Sequence, residues 1–282
     1  MPQARGEVAA TVMRGEIVVV GGFLADGSSS RRVDAFAPAT GRWRRLPDLP
    51  VALNHAMATA LRGRLYVFGG YGSAGAQRGA FVLASGRWSR LAPLPEPRAA
   101  GGAVAVATKL YVVGGVGGTS GARDAFAYDL RRGRWSRVPG PTAREHLGVT
   151  VLGGRIYAVA GRGGAVGGNT TRVQSWRPGE RRWHRVAPVP EARGGTGAAV
   201  VSGQIVSVGG EAPGGTIGSV YAYRPSSDSW RRLPDLPTPR HGLAVAGFRG
   251  RLYAIAGGIV PGLSVSAKNE ILTLTPPTRA RR

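Results

Sequence analysis

The sequence predicts an all-β chain made of one four-stranded unit repeated six times. Three observations carry this. Six apolar segments end in a pair of small residues: 17–22 (IVVVGG), 65–70 (LYVFGG), 110–115 (LYVVGG), 156–161 (IYAVAG), 205–210 (IVSVGG) and 252–257 (LYAIAG). They start 48, 45, 46, 49 and 47 residues apart. A second series, Trp43, Trp88, Trp135, Trp183 and Trp230, steps by 45, 47, 48 and 47. Each of these tryptophans has an aromatic seven residues before it (Phe36, Phe81, Tyr128, Trp176, Tyr223) and an aliphatic three after it (Leu46, Leu91, Val138, Val186, Leu233). A period of this size decides the architecture before any local signal does.

Within a unit the elements follow in order. The first strand is small and apolar, as in 101–106 (GGAVAV). A turn such as 62–64 (RGR) leads to the second strand, the apolar run before the small pair. Continuous apolar runs of this length suit a strand buried on both faces. The double glycine permits positive φ or close backbone approach where that strand ends. A Gly-rich loop, a third strand with the aromatic, a turn such as 85–87 (SGR) and a fourth strand at the Trp complete the unit. A sustained 3.6-residue period is absent, so essentially no helix is expected.

Four-stranded units at this spacing are the blades of β-propellers, in which circular closure removes free sheet edges. The Gly-Gly, aromatic, Trp order resembles kelch repeats over nearly the whole chain, in the manner of bacterial kelch repeat-containing proteins. Five repeats carry the full pattern, and Ala160-Gly161 and Ala256-Gly257 soften it by one methyl each. The resemblance implies a single six-bladed propeller domain over 1–282. In the last unit, 271–274 aligns with a third strand and only 275–282 follows, without a Trp. The closing blade is therefore expected to lack one outer strand. Two explanations stay open: a start upstream of Met1 that supplies a Trp-containing strand, or a protein whose sixth blade has three.

Composition bounds the chemistry. There is no cysteine, which removes disulfides, Cys-ligated metals and a cysteine nucleophile. It also removes the Tyr–Cys copper-radical site of galactose oxidase that the resemblance would otherwise admit. The net charge is +23, from 36 Arg and two Lys (Lys109, Lys268) against 15 acidic residues. Such a charge favours an anionic partner, yet the arginines recur in every unit, and Arg- and Ala-rich, Lys-poor usage is what a GC-rich genome supplies. Nucleic acid is accordingly not the expected partner. The first apolar stretch, 17–20, is too short for a secretory leader or a membrane span. As printed the chain reads as cytoplasmic, and an upstream start would allow export.

Counting back 16 residues from the first residue of each small pair gives Arg5, Leu53, Arg98, Arg144, Arg193 and Arg240. Guanidinium offers a planar fork to carboxylate or phosphate. In kelch domains that bind acidic peptides, the resemblance implies that arginines here contact ligand carboxylates at a channel mouth. The architectural reading, an Arg that belongs to the repeat, stays open beside it. One residue on lie Asn54, Glu145 and His241, and two residues on lie Glu7, His55 and His146. In a strand, positions two apart share a face, so His55, Glu145, His146 and His241 join the five arginines as candidate ligand-binding residues. A metal is not expected, because no ligand pair has short-range spacing and His241 is out of phase. No cofactor is expected. His184 reads as surface. The function these residues predict is a monomeric binding module for a protein, or for a carbohydrate or other carboxylate-bearing ligand. The alternative is a metal-free mutarotase resembling N-acetylneuraminate epimerase, with Arg, Glu and His at its site.

Overall fold

A computed structural model describes residues 1–117, 120–121 and 123–274. Six antiparallel sheets form a ring. Blade 1 comprises Ala9–Met13, Glu16–Val20, Val33–Ala37 and Arg42–Arg45 in that spatial order. Blades 2 to 5 repeat the order from Met57–Leu61, Gly102–Val106, Gly148–Leu152 and Gly197–Val201 as their inner strands. Blade 6 has Ala244–Phe248, Arg251–Ile255 and Asn269–Thr273. Among the described residues it has no fourth strand, and Ile271 on its outer edge is 49% exposed. Residues 275–282 lie outside the described residues. The only helical turn among them is a 3-10 turn at Pro225–Ser227.

The apolar runs behave as their composition requires. Ile17 to Val20 are fully buried, as are Val112 and Val113, because each second strand lies between two neighbouring sheets. Further out, aromatic pairs fill the wider wedge between blades: Phe36 on Trp43 at 5.0 Å, Tyr128 on Trp135 at 5.0 Å and Tyr223 on Trp230 at 5.1 Å. The outer tryptophans also bind blade to blade. Nε1 of Trp88, Trp135, Trp183 and Trp230 donates to the carbonyl of Pro47, Ala92, Pro139 and Ala187, each in the segment leaving the preceding blade, at 2.8–2.9 Å. In blade 2 the expected equivalence of Phe81 shifts. Leu83, not Phe81, pairs with Trp88, because the turn there is a tight hairpin closing on Ala84 and Arg87, and Phe81 packs instead into the core shared with blade 1.

A backbone belt closes the circle. The second residue of each small pair donates its N–H across to the next blade: Gly22 to Leu53, Gly70 to Arg98, Gly115 to Arg144, Gly161 to Arg193, Gly210 to Arg240 and Gly257 to Arg5, all at 2.8–2.9 Å. Glycine is required at Gly70, where φ is +92° and a Cβ would sit 2.7 Å from the Asn54 carbonyl oxygen. The last link joins blade 6 to blade 1. The same junction is filled by Phe36, Tyr253 and Ile255 in one core cluster.

Candidate functional site

The five arginines do not line the channel. Arg5, Arg98, Arg144, Arg193 and Arg240 are 0–2% exposed and are among the largest fully buried side chains of the chain. Each guanidinium is spent inside its own blade, joining the end of the second strand to the third. Arg144 reaches the carbonyls of Ala158, Ala160 and Thr142 and Oε1 of Gln174 at 2.6–2.9 Å. Arg5 reaches the Gly21 and Arg32 carbonyls and Asp34 at 2.5–2.7 Å. Arg98, Arg193 and Arg240 do the same toward Asp124, Ser219 and Glu270. Burial pushes the guanidinium of Arg5 and of Arg144 down to about 10, still charged at neutral pH. In blade 2 the equivalent Leu53 joins an apolar cluster. The expectation that these side chains meet a ligand is corrected, and the reason is local. The residue two positions on has positive φ in every blade: Glu7 50°, His55 50°, Ala100 54°, His146 52°, Gly195 66° and Gly242 55°. That left-handed step breaks the strand alternation, so the arginine and its second neighbour face opposite ways.

These left-handed residues form a second belt around the axis. The N–H of His55 donates to the Glu7 carbonyl, Ala100 to His55, His146 to Ala100, Gly195 to His146 and Gly242 to Gly195, at 2.7–3.0 Å, and Val8 closes onto Gly242 at 3.2 Å. These six residues line an axial cavity of about 140 Å³ that is otherwise small and apolar, with Ala10, Ala58 and Ala103 among its lining. The residue after each arginine position pairs with the residue after the small pair of its blade. Asn54 thus faces Tyr71, Glu145 faces Arg162 and Gly194 faces Glu211. Three six-membered rings therefore meet at one mouth.

The side chains there form one network. His55 Nε2 lies 2.9 Å from His146 Nε2, and Glu7 lies 3.3 Å from His55 and 3.1 Å from His241. Glu145 Oε1 lies 3.2 Å from His146 Nδ1 and 3.2 Å from Arg162 Nε. Arg162 Nη1 donates to Glu211 at 2.6 Å, and Nη2 lies 3.2 Å from His146 Nε2. His55 Nδ1 meets Asn54 Oδ1 at 2.5 Å, and the rings of Phe23 and Tyr71 stand edge-on to it. Burial pushes the His55 imidazole down to about 4 against the pull of Glu7, so it is neutral at pH 7. Burial would raise the Glu7 carboxyl, but His55, His241 and His146 outweigh it and hold Glu7 below the usual carboxylate range. His241 goes the other way: burial lowers it, and Glu7 and Glu211 raise it further.

Of the sequence-derived candidates, His55, Glu145, His146 and His241 do converge. Glu7 stands at the centre of the cluster. Arg162 and Glu211 were not singled out from the sequence. Both follow a small pair directly, and that repeat position is the signal that finds them. His184 is half exposed on an outer strand near Glu180.

Matched against known families, the chain fits the KLHDC2/KLHL20/DRC7 Kelch-repeats domain over residues 1–139 and 80–258. The chain belongs to the kelch-repeat family. Among curated kelch relatives it is similar to the Kelch-like protein terF of Aspergillus terreus, 29% identical over 73% of this chain and 50% of that protein. It is also similar to Kelch-like protein 35 of Mus musculus, 30% identical over 70% of this chain and 26% of that one. The chain spans at most about half the length of these two relatives.

Proposed function

We propose that this kelch propeller is a binding module that docks a protein partner over the channel mouth. The observation that carries this is an apolar lip beside the polar network. Ile259, Val260 and Leu263 are 47%, 54% and 57% exposed, half of the large exposed hydrophobics among the described residues, and all lie on the loop after the small pair of blade 6. That loop is tied to the site, since the Val260 carbonyl meets His241 Nε2 at 3.0 Å and the Gly262 N–H donates to Glu211 at 2.9 Å. Exposed aliphatics beside desolvated polar groups on a rigid scaffold are the makings of a protein interface. A sugar carboxylate or a nucleic-acid phosphate would call for free guanidinium groups. The arginines first expected to supply them are spent inside the blades, and Arg162 is held by two glutamates, which favours partner docking over a metal-free mutarotase.

A displayed random-peptide library is the direct test. Peptides enriched on the native protein are expected to lose binding at least tenfold with Val260→Asp plus Leu263→Asp, which leaves thermal stability unchanged. Failure to enrich any peptide, or binding indifferent to the double substitution, would count against the reading.

A further inference from the structure

We infer that Glu7, His55 and His146 form a binding site for one divalent first-row metal ion, of which zinc is the test case. The inference goes beyond partner docking and does not depend on it. The three ligand atoms are Glu7 Oε2, His55 Nε2 and His146 Nε2, separated by 2.9, 3.3 and 3.9 Å. A triangle with those edges has a circumradius of about 2.0 Å, which matches Zn–N and Zn–O bonds of about 2.0–2.2 Å. One ion can therefore reach all three atoms without moving them.

The tautomers point the same way. His55 Nδ1 has the Asn54 side-chain oxygen at 2.5 Å, so the ring proton belongs on Nδ1 and the lone pair on Nε2. Arg162 Nη2 lies 3.2 Å from His146 Nε2, a donor that calls for a lone pair there, which places the His146 proton on Nδ1, on the side of Glu145 Oε1 at 3.2 Å. An imidazole whose second nitrogen faces an amide oxygen or a carboxylate is the usual arrangement of a metal-bound histidine. It also turns two Nε2 lone pairs toward each other at 2.9 Å, which is unfavourable unless a proton or a cation lies between them. Arg162 Nη2, at 3.2 Å from His146 Nε2, is the competitor for one lone pair. Around the cluster the three carboxylates of Glu7, Glu145 and Glu211 face the one guanidinium of Arg162, an acidic surrounding that suits a divalent ion.

Local spacing along the chain gives no hint of the site, because the ligands come from blades 1, 2 and 4 and meet only around the ring.

The test uses tag-free, chelator-stripped protein titrated with Zn²⁺ alone by calorimetry. One equivalent is expected to bind. Co²⁺ in its place should give the visible absorption band of a low-coordinate nitrogen and oxygen site. His55→Asn and His146→Asn keep a residue that accepts left-handed φ, and Glu7→Gln is isosteric. Each is expected to weaken Zn²⁺ binding at least about 100-fold while the circular dichroism spectrum is retained. His184→Asn leaves it unchanged. Absence of saturable binding, or one-equivalent binding that survives all three substitutions in folded protein, would overturn the inference.

Discussion

Arg144 and His146 stand two residues apart in one repeat, and the propeller uses them for opposite purposes. Arg144 is sealed inside blade 4 on four acceptors, whereas His146 faces the axis, where it meets His55 and Glu7 of other blades. The contrast runs around the whole ring. The arginine position varies once, to Leu53, and every arginine there does the same job. The second position after it reads Glu, His, Ala, His, Gly, Gly, and its polar members gather at the mouth. Sameness across blades marks what each blade needs in order to close. Difference across blades marks what the ring can present only once.

The largest effect should come from emptying the first position. Arg144→Ala takes away the donor shared by three backbone carbonyls and the Gln174 oxygen, which keeps only the Thr142 N–H, and about 3–5 kcal/mol of stability is expected to go, measured by urea unfolding. Acid offers the next break. His55 is held neutral in the folded chain down to about 4, whereas an unfolded histidine takes a proton near 6.5. Between those values the unfolded state binds the extra proton, so stability falls as pH drops through that window. On the order of 2 kcal/mol should be lost in chelator-treated protein between pH 7 and 4.5, and His55→Asn should flatten that limb. Glu7 extends the loss below the ordinary carboxylate range, since its ionised form is the one the fold stabilises. A smaller change should follow Trp230→Phe, which keeps an aromatic ring against Tyr223 and removes the Nε1 bond to Ala187 with part of the ring contact. About 1 kcal/mol is expected there, read in the same unfolding experiment.

How much of this was written in the sequence divides along the same line. Blade count and strand order follow from spacing and from the apolar runs, because a strand buried on both faces has no freedom to look otherwise. The direction of Arg144 did not follow. Strand periodicity puts residues two apart on one face, and the left-handed backbone at His146 that cancels it carries no glycine to announce it. The displaced equivalence of Phe81 has a similar cause, a turn shorter than that of its sister blades. His55, Glu145, His146 and His241 were legible as candidates from their repeat positions. Arg162 and Glu211 were legible only once the residue after the small pair was seen to face the mouth, a pairing that depends on the ring and not on neighbours in the chain.

The comparison between the two positions is tested most directly by placing Arg144→Ala and His146→Asn side by side in equilibrium urea unfolding without added metal. Arg144→Ala should lose about 3 kcal/mol or more and His146→Asn less than about 1, because only the first removes a buried donor that four acceptors share. A His146→Asn protein destabilised as much as Arg144→Ala, or an Arg144→Ala protein as stable as the native chain, would contradict the division of labour between the two rings.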